Sequence, residues 1–355
     1  MTQGTQKARM EMVALKKIRS EGEGWDAYLL RSRVDATKLA KSVKANGIVE
    51  PVTLEEWGSG YRIICGFLRV AAARAAEADQ VPAVVYAKSA LSPREGYMTA
   101  LSSNAPGSSL TDADRIMALS KGKNVFGFTE DELVTLVTPL VGLPQSHKVI
   151  REYVKLAALP KGLMGILAEG AISRQHAEAI LLVESEDQEW FYRNVIDLLA
   201  LSASETRSFA AGGLDLASRG ELSFREVMLE VIGAAFAGEE PPDSPAALQT
   251  ARLLARTALA RKLMPTIAEM EDEFVQLVKS IDLQAGAKVE HAVNFESDEI
   301  TIEATVKSED ALRSLKSALE RGLAAGTFAR MLSIASRKAE PAEPKPQKKP
   351  RKAKE

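Results

Sequence analysis

"YRIICGFLRVAAARAA", residues 61–76, is a short apolar run, Tyr61 to Cys65, that meets one glycine and at once becomes an alanine-rich helical stretch carrying Arg69 and Arg74. A strand that hands over to a helix at Gly66, with a cation in the first turn, has the geometry of an anion site. Free backbone N–H groups and the positive end of the helix dipole point at whatever lies beyond the strand. The same pattern also describes a plain strand-to-helix turn, and the stretch by itself does not separate the two readings.

Working outward, "DATKLAKSVKANG" carries an N-cap in Asp35, apolar Leu39 and Val43 four apart, and Gly47 placed to close a three-turn helix in a left-handed turn. "IVEPVTLEEW" and "YRIIC" read as two strands joined by a tight turn over Gly58-Ser59-Gly60. "VPAVVYA" at 81–87 is a further strand, and a short edge strand is predicted around Met12 to Leu15. Little else can be read in residues 1–25. The N-terminal unit, residues 1–92, is therefore expected to be a small α+β domain with helices against a mixed sheet.

From residue 93 only helix signals remain until about residue 235. Thr111-Asp112-Ala113-Asp114 and Thr129-Glu130-Asp131-Glu132 place a hydroxyl three residues ahead of a carboxylate, so two helices begin there. Pro144-Gln145-Ser146-His147 leads into "KVIREYVKLAA", whose Val149, Ile150, Tyr153, Val154 and Ala157 form one apolar face, and Leu159-Pro160 stops it. Two short helices follow, parted by Gly170-Ala171-Ile172, which suits an all-α helix-turn-helix domain over 93–237. "GEEPPDSP" at 238–245 reads as a linker, because paired prolines and acids extend neither regular structure. A third, small α+β domain is expected over 246–336, with a helix broken or kinked at Pro265, strands at Lys288 to Asn294 and Glu299 to Lys307, and closing helices. From Ala339 the chain alternates Pro with Lys and Arg; 337–355 reads as a disordered, cationic tail, either a solvated terminus or a nonspecific phosphate contact.

Bulk numbers bound the function classes. At 355 residues the chain has length for two or three cores. A net charge of −2 gives no global attraction to nucleic acid, so any such contact must come from local basic surfaces. The single cysteine, Cys65, excludes an internal disulfide, no apolar run reaches the length of a membrane span, and no leader opens the sequence. A reducing cytosol is the expected home. Cys65 reads as a small buried apolar group, and His147, His176 and His291 show no metal-ligand spacing and no nucleophile–base–orienter trio, so neither a metal site nor a catalytic residue is assigned.

Four stretches, read together, resemble one family. Gly47-Ile48-Val49-Glu50-Pro51 is similar to a Gly-x-x-x-Pro segment before a first core strand. Gly66-Phe67-Leu68-Arg69 with Ala71, Ala72 and Ala73 looks like a degraded Gly-Glu-Arg-Arg box, and Ser103-Asn104-Ala105-Pro106-Gly107 stands in the place of a Glu-Asn-x-x-Arg box. Gly170 to Leu181 closely matches Gly-x-Ile-Ser-x-x-His-Ala-x-Ala-Leu. In this order over residues 35–185 they resemble the ParB partition proteins with their Noc and KorB relatives, whose N-terminal fold is shared with sulfiredoxins.

The resemblance implies a pocket for CTP and magnesium held by Gly66, Arg69 and Asn104, with Gly47 and Pro51 framing it. Phe67 and Leu68 replace a glutamate and an arginine, and Ser103 and Gly107 another such pair. Carboxylates that suit magnesium and arginines that suit a triphosphate are thereby removed; hydrolysis loses its support and nucleotide binding stays open. The resemblance also places the helix after residue 145 on double-stranded DNA. Gln145, Ser146, His147 and Lys148 stand at its start, Lys148, Arg151 and Lys155 form one stripe, and Arg174, Gln175 and His176 are secondary contacts. The stripe reads equally as a solvated helix face when taken alone, and His176 as a cap or packing residue. The resemblance further implies plasmid or chromosome partition from a palindromic site, with clamp closure where CTP is still bound, nucleoid or plasmid association, a homodimer formed through the C-terminal domain and a ParA-type ATPase partner. Two alternatives stay open: a KorB-like transcriptional regulator without nucleotide switching, and a phosphoryl-transfer enzyme acting on a small substrate through the same N-terminal fold.

Overall fold

The computed structural model describes residues 8–20, 22, 24–31, 36–104, 110–220, 222–236, 244–283 and 286–337. Asp35, Ala105 to Gly107, most of the linker and the basic tail, all named above, lie outside the described residues. The chain divides into two compact units, residues 1–196 with 202–207 and residues 197–201 with 208–355. That division does not coincide with boundaries at 92 and 238: the first unit holds both the sheet and the helices up to residue 196.

In the first unit β1 (Ala8–Ala14), a single 3-10 turn (Leu15–Lys17), β2 (Ile18–Arg19), α1 (Thr37–Asn46), β3 (Val52–Trp57), β4 (Gly60–Cys65), α2 (Phe67–Ala75) and β5 (Gln80–Tyr86) make a five-stranded mixed sheet with its helices. The strand order is β1-β5-β3-β4-β2. β1 runs antiparallel to β5, β5 parallel to β3, β3 antiparallel to β4 and β4 parallel to β2. The first strand thus begins at Ala8, earlier than the run around Met12 to Leu15. Leu15 itself turns away, its N–H donating to the Asp79 carbonyl at 2.9 Å.

Alternation places Val13, Val52, Leu54, Ile63, Val81, Ala83 and Val85 in one apolar core with Val43 of α1 and Val70, Ala72 and Ala73 of α2. The N-cap position of α1 is Ala36, which makes no side-chain cap bond, and Gly47 closes the helix with φ +69°. Gly66 is the N-cap of α2 at φ +103°, and a Cβ there would come within 2.9 Å of Val52 Cγ1. A side chain at 66 is excluded twice, by the left-handed backbone and by β3.

Helices continue the unit: α3 (Pro93–Asn104), α4 (Asp112–Asn124), α5 (Glu130–Glu132) running into a π-helical stretch (Leu133–Val137), α6 (His147–Leu156), α7 (Lys161–Glu169), α8 (Arg174–Ile180) and α9 (Ser185–Phe191). Both expected capping boxes form, Thr111 with Asp114 and Thr129 with Glu132, and a third joins Ser173 to His176. The segment before α1 is fastened by rings: Tyr28 stacks on Phe126 at 5.6 Å and Tyr97 on Phe126 at 4.3 Å between centroids.

The second unit contains most of α10 (Ala203–Arg219), then α11 (Phe224–Phe236), α12 (Pro245–Leu263), α13 (Pro265–Ser280), β6 (Ala287–His291), β7 (Ile300–Ala304), α14 (Glu309–Ala324) and α15 (Thr327–Ala335). α11 packs along α12, so the acidic Pro-Pro stretch joins two neighbours within this unit. Of the two outcomes expected at Pro265 the helix is broken: Pro265 starts α13, where its missing N–H is harmless at a helix's first position. Met270, Phe274, Leu277, Phe295, Met331 and Ile334 form a separate core under an antiparallel β6–β7 pair.

Gly66→Ala is expected to destabilise the first unit by about 1–3 kcal/mol, seen as an earlier urea midpoint. Gly58→Ala, where an added Cβ meets nothing within 4 Å, should lose less. Equal losses at the two positions would show that contact with Val52 contributes nothing.

Candidate functional site

The turn at Gly66 opens into a cavity of about 300 Å³ lined by Tyr28 to Arg31, Leu39, Glu50, Cys65 to Arg69, Ser103 and Asn104. The structure therefore brings the Gly66 box, Asn104 and the Glu50-Pro51 segment to one place, while Gly47 closes α1. The wall from Tyr28 to Arg31 was missed by the sequence reading. Its only signal was the cation in "YLLRSR", in a region without periodicity.

Both cations of the cavity are engaged by the protein. Arg69 Nη1 donates to the Glu50 and Pro51 carbonyls at 2.9 and 2.8 Å and lies 3.4 Å from the Glu50 carboxylate. Its Nη2 faces Cys65 Sγ at 3.8 Å. Arg69 thus ties α2 to the start of β3, a consequence of standing on the first turn beside an extended chain rich in unpaired carbonyls. Arg31 Nη1 donates to Asp114 Oδ2 at 3.3 Å, and the same oxygen accepts the Thr111 N–H at 3.0 Å in the α4 capping box. Lys121 of α4 donates to the Asp26 and Leu29 carbonyls at 2.8 and 2.9 Å, and burial pulls its pKa below the ordinary lysine range. Asn104 at the end of α3 donates to the Ala100 carbonyl at 2.7 Å.

This donor set does not fit a magnesium triphosphate. Magnesium is held by carboxylates with nearly ideal octahedral geometry; Glu50 is the one carboxylate lining the cavity among the described residues, and it pairs with Arg69. Phe67, Leu68 and Leu39 give the remaining wall an apolar character. A pyrophosphate-sized anion would have to compete with Asp114 for Arg31 and with Glu50 and two carbonyls for Arg69.

The second candidate surface is α6. Ile150, Tyr153 and Leu156 are buried, so its apolar face includes Leu156 where the sequence reading had put Ala157, which is exposed. Tyr153 fixes the helix on α4: its hydroxyl donates to Asp112 Oδ1 at 2.8 Å, and burial with that bond pushes its pKa up to about 12. The opposite face carries Lys148 at 82% and Arg151 at 68% exposure, with Lys155 exposed in the same stripe. Gln145 and His147 are exposed at the start, and Ser146, the N-cap position, makes no side-chain cap bond, leaving its hydroxyl available to a ligand.

Carboxylates surround this stripe. His147 Nδ1 lies 3.5 Å from Glu130 and its Nε2 3.3 Å from Asp131; Arg151 Nε is 3.6 Å from Glu130 and Lys148 Nζ is 4.0 Å from Glu152. Arg174 pairs with Glu152 and Glu178 and lies over the Tyr153 ring, 5.4 Å from its centroid. Arg174 thereby braces α8 against α6. Gln175 beside it is exposed. His176 is the N3 residue of the third capping box: its Nδ1 meets the Ser173 N–H at 3.2 Å and the Ser173 Oγ at 2.8 Å. His176 thus completes the cap of α8 within the Gly170–Leu181 box, as the capping reading expects. Glu130 and Asp131 were read only as helix-start residues; that acids ring the α6 N-terminus needed tertiary contacts to become visible.

Comparison with known proteins agrees with this architecture. Residues 2–105 match the model of the ParB N-terminal domain. The chain is 30% identical over 144 residues to the chromosome-partitioning protein ParB of Myxococcus xanthus, covering 41% of this chain and 46% of that protein. It is 27% identical over 160 residues to the chromosome-partitioning protein Spo0J of Thermus thermophilus, covering 45% and 56%. The chain spans about half the length of the curated relatives it matches. Among solved structures, the C-terminally truncated ParB of Caulobacter crescentus complexed to the centromeric parS site aligns at TM-score 0.34 and 17% identity, covering 57% of this chain and 98% of that one. The same protein complexed with CTP-γ-S aligns at TM-score 0.20 and 17% identity, covering 52% and 99%. No described helix is long and apolar enough to cross a membrane. Residues 2–105, which hold the sheet and its Gly66 turn, are thus similar to the ParB N-terminal domain, and the likeness to chromosome-partitioning proteins extends over 144 to 160 residues of the chain.

Proposed function

We propose that this chain is a sequence-specific DNA-binding protein of the ParB type that reads a palindromic duplex site with the N-terminal end of α6. The observation that carries the reading is the exposed Lys148–Arg151–Lys155 stripe on a helix whose other face is anchored through Tyr153 to Asp112. Gln145, Ser146 and His147 reach base edges from the first turn, and the stripe meets phosphate. The partition role of the curated relatives is the cellular setting that fits, with a ParA-type ATPase as the partner it implies.

The cavity at Gly66 favours DNA reading that does not wait on a nucleotide, the KorB-like form of the same activity. Two arginines already paired within the protein and the absence of a second carboxylate in the described lining leave CTP without the charge partners a triphosphate needs.

A homodimer fits the second unit. A two-stranded sheet is marginal alone, and β7 pairs with β6 on one side only. Ile302, Val306 and Leu312 stand 44%, 43% and 52% exposed on and just beyond β7. A second copy covering this surface would bury the apolar groups and give the two-fold symmetry that a palindromic site requires.

Three outcomes test these readings. Selection from a random duplex pool should enrich one palindromic motif. Arg151→Ala should then weaken binding to it and reduce the salt slope by about one; no enrichment over the starting pool would end the DNA reading. Titration calorimetry with CTP should give binding weaker than about 1 mM, unchanged by magnesium. A magnesium-dependent micromolar constant would restore the nucleotide switch. Ile302→Asp with Val306→Asp should convert a dimer to a monomer in sedimentation equilibrium, and a dimer that persists would place the interface elsewhere.

A further inference from the structure

Glu130 and Asp131 are surplus to the start of α5. The capping box there is complete without them, since Thr129 Oγ1 accepts the Glu132 N–H at 3.2 Å and Glu132 Oε2 accepts the Thr129 N–H at 2.8 Å. Yet Glu130 Oε1 is buried and makes no hydrogen bond among the described residues. A buried carboxylate oxygen without a hydrogen bond calls for an explanation. The groups near it are His147 Nδ1 at 3.5 Å and Arg151 Nε at 3.6 Å, while Asp131, itself 87% exposed, faces His147 Nε2 at 3.3 Å. Two carboxylates from the preceding helix therefore stand over the one part of α6 that has both a polar first turn and the cationic stripe.

Resting on the reading that α6 binds DNA, we infer that Glu130 and Asp131 are specificity-determining residues: a built-in repulsive element that suppresses binding to random duplex. On a nonspecific duplex the protein gains mainly phosphate contacts. Such a duplex must bring its phosphates up to two fixed negative charges and draw His147 and Arg151 away from them, with no base contacts in return. At the cognate site, hydrogen bonds from Gln145, Ser146 and His147 to base edges hold the first turn of α6 in the groove, in a pose that keeps the phosphates farther from Glu130 and Asp131, so the repulsion there is smaller than on random duplex. Discrimination by penalising the wrong partner is a general route to specificity. It also suits a chain whose net charge of −2 gives no long-range attraction to DNA of any sequence.

The test uses the full chain with Glu130→Gln and Asp131→Asn together, and fluorescence anisotropy on two labelled duplexes, one of random sequence and one enriched by selection, over a range of salt. Affinity for random duplex should rise about tenfold with a steeper salt slope, while affinity for the selected duplex changes less than about threefold. Glu309→Gln with Asp310→Asn, first-turn acids of α14 in the other unit, makes the same charge change and should leave the ratio of the two affinities as in the wild type. If the double variant melts early, Asp131→Asn alone carries the test, at a smaller rise. A wild-type ratio retained in the variant, or an equal change in the α14 control, overturns the inference while leaving DNA reading by α6 intact. A wild type that shows no preference between the two duplexes overturns that underlying reading itself.

Discussion

Asp114 is 2% exposed and holds together two things that the sequence keeps far apart. One of its oxygens accepts both the Thr111 N–H, completing the cap of α4, and the guanidinium of Arg31 from the segment that walls the cavity. A carboxylate removed from water needs such partners, because its desolvation is offset only when its charge and lone pairs are satisfied. Lys121, about two turns further along α4, fastens the same segment through the Asp26 and Leu29 carbonyls. The sheet with its cavity and the helix that supports α6 are therefore joined by ion pair and hydrogen bond as well as by the Tyr28–Phe126–Tyr97 ring stack. The orientation of Tyr153, and with it of the exposed stripe, follows from α4, whose Asp112 receives the tyrosine hydroxyl.

One electrostatic habit recurs at both candidate sites. The cavity's Arg31 and Arg69 face Asp114 and Glu50, and the cations of α6 face Glu130, Asp131 and Glu152. The consequences differ with burial. Around α6 the cations are largely exposed, so their pairs are screened by solvent and each contributes little; a polyanion with many phosphates can displace them. In the cavity Arg31 is 22% exposed and its partner Asp114 is 3% exposed at the side chain. Breaking that pair leaves a carboxylate in a poorly solvated place, which is costly. The same kind of pairing thus leaves the α6 surface open to an anion and holds Arg31 to the protein, while the carboxylate facing Arg69, on Glu50, is 83% exposed and screened like those of α6.

Much of this was legible in the sequence because local rules governed it. The turn at Gly66 followed from an apolar run meeting a glycine and then alanines, and the left-handed φ of that residue bears the reading out. Thr111 and Thr129 announced their helices through side chains three residues apart, which no tertiary contact has to supply. What stayed hidden was long-range. The cavity wall at Tyr28–Arg31 has no periodicity and is positioned by partners more than 80 residues away. The grouping of α10 to α12 depends on helices packing across an acidic Pro-Pro stretch, and composition alone reads that stretch as a boundary. Pro265 left two outcomes open for a similar reason: a proline marks an interruption in the pattern, but whether the helix bends or restarts depends on backbone geometry one residue earlier, where Met264 takes φ −131°.

Position along a motif also fails to tell folding from chemistry. His176 sits in the most closely matching box of the chain, and its ring completes the cap of α8, while Ile172, Ala177, Ala179 and Ile180 beside it are buried. The spacing of that box is the spacing a short, capped, well-packed helix demands. Arg69 behaves alike: it stands where an anion-binding cation would stand, and it bonds the Glu50 and Pro51 carbonyls that the neighbouring strand leaves open. In both cases the side chain meets a need of the backbone that is present whether or not a ligand arrives. A joint made of protein groups alone, Asp114 with Arg31 and Thr111, ties the cavity wall to α4, and Tyr153 ties α4 to α6. The exposed Lys148–Arg151–Lys155 stripe is then positioned by contacts within the folded chain, through Tyr153 and Asp112.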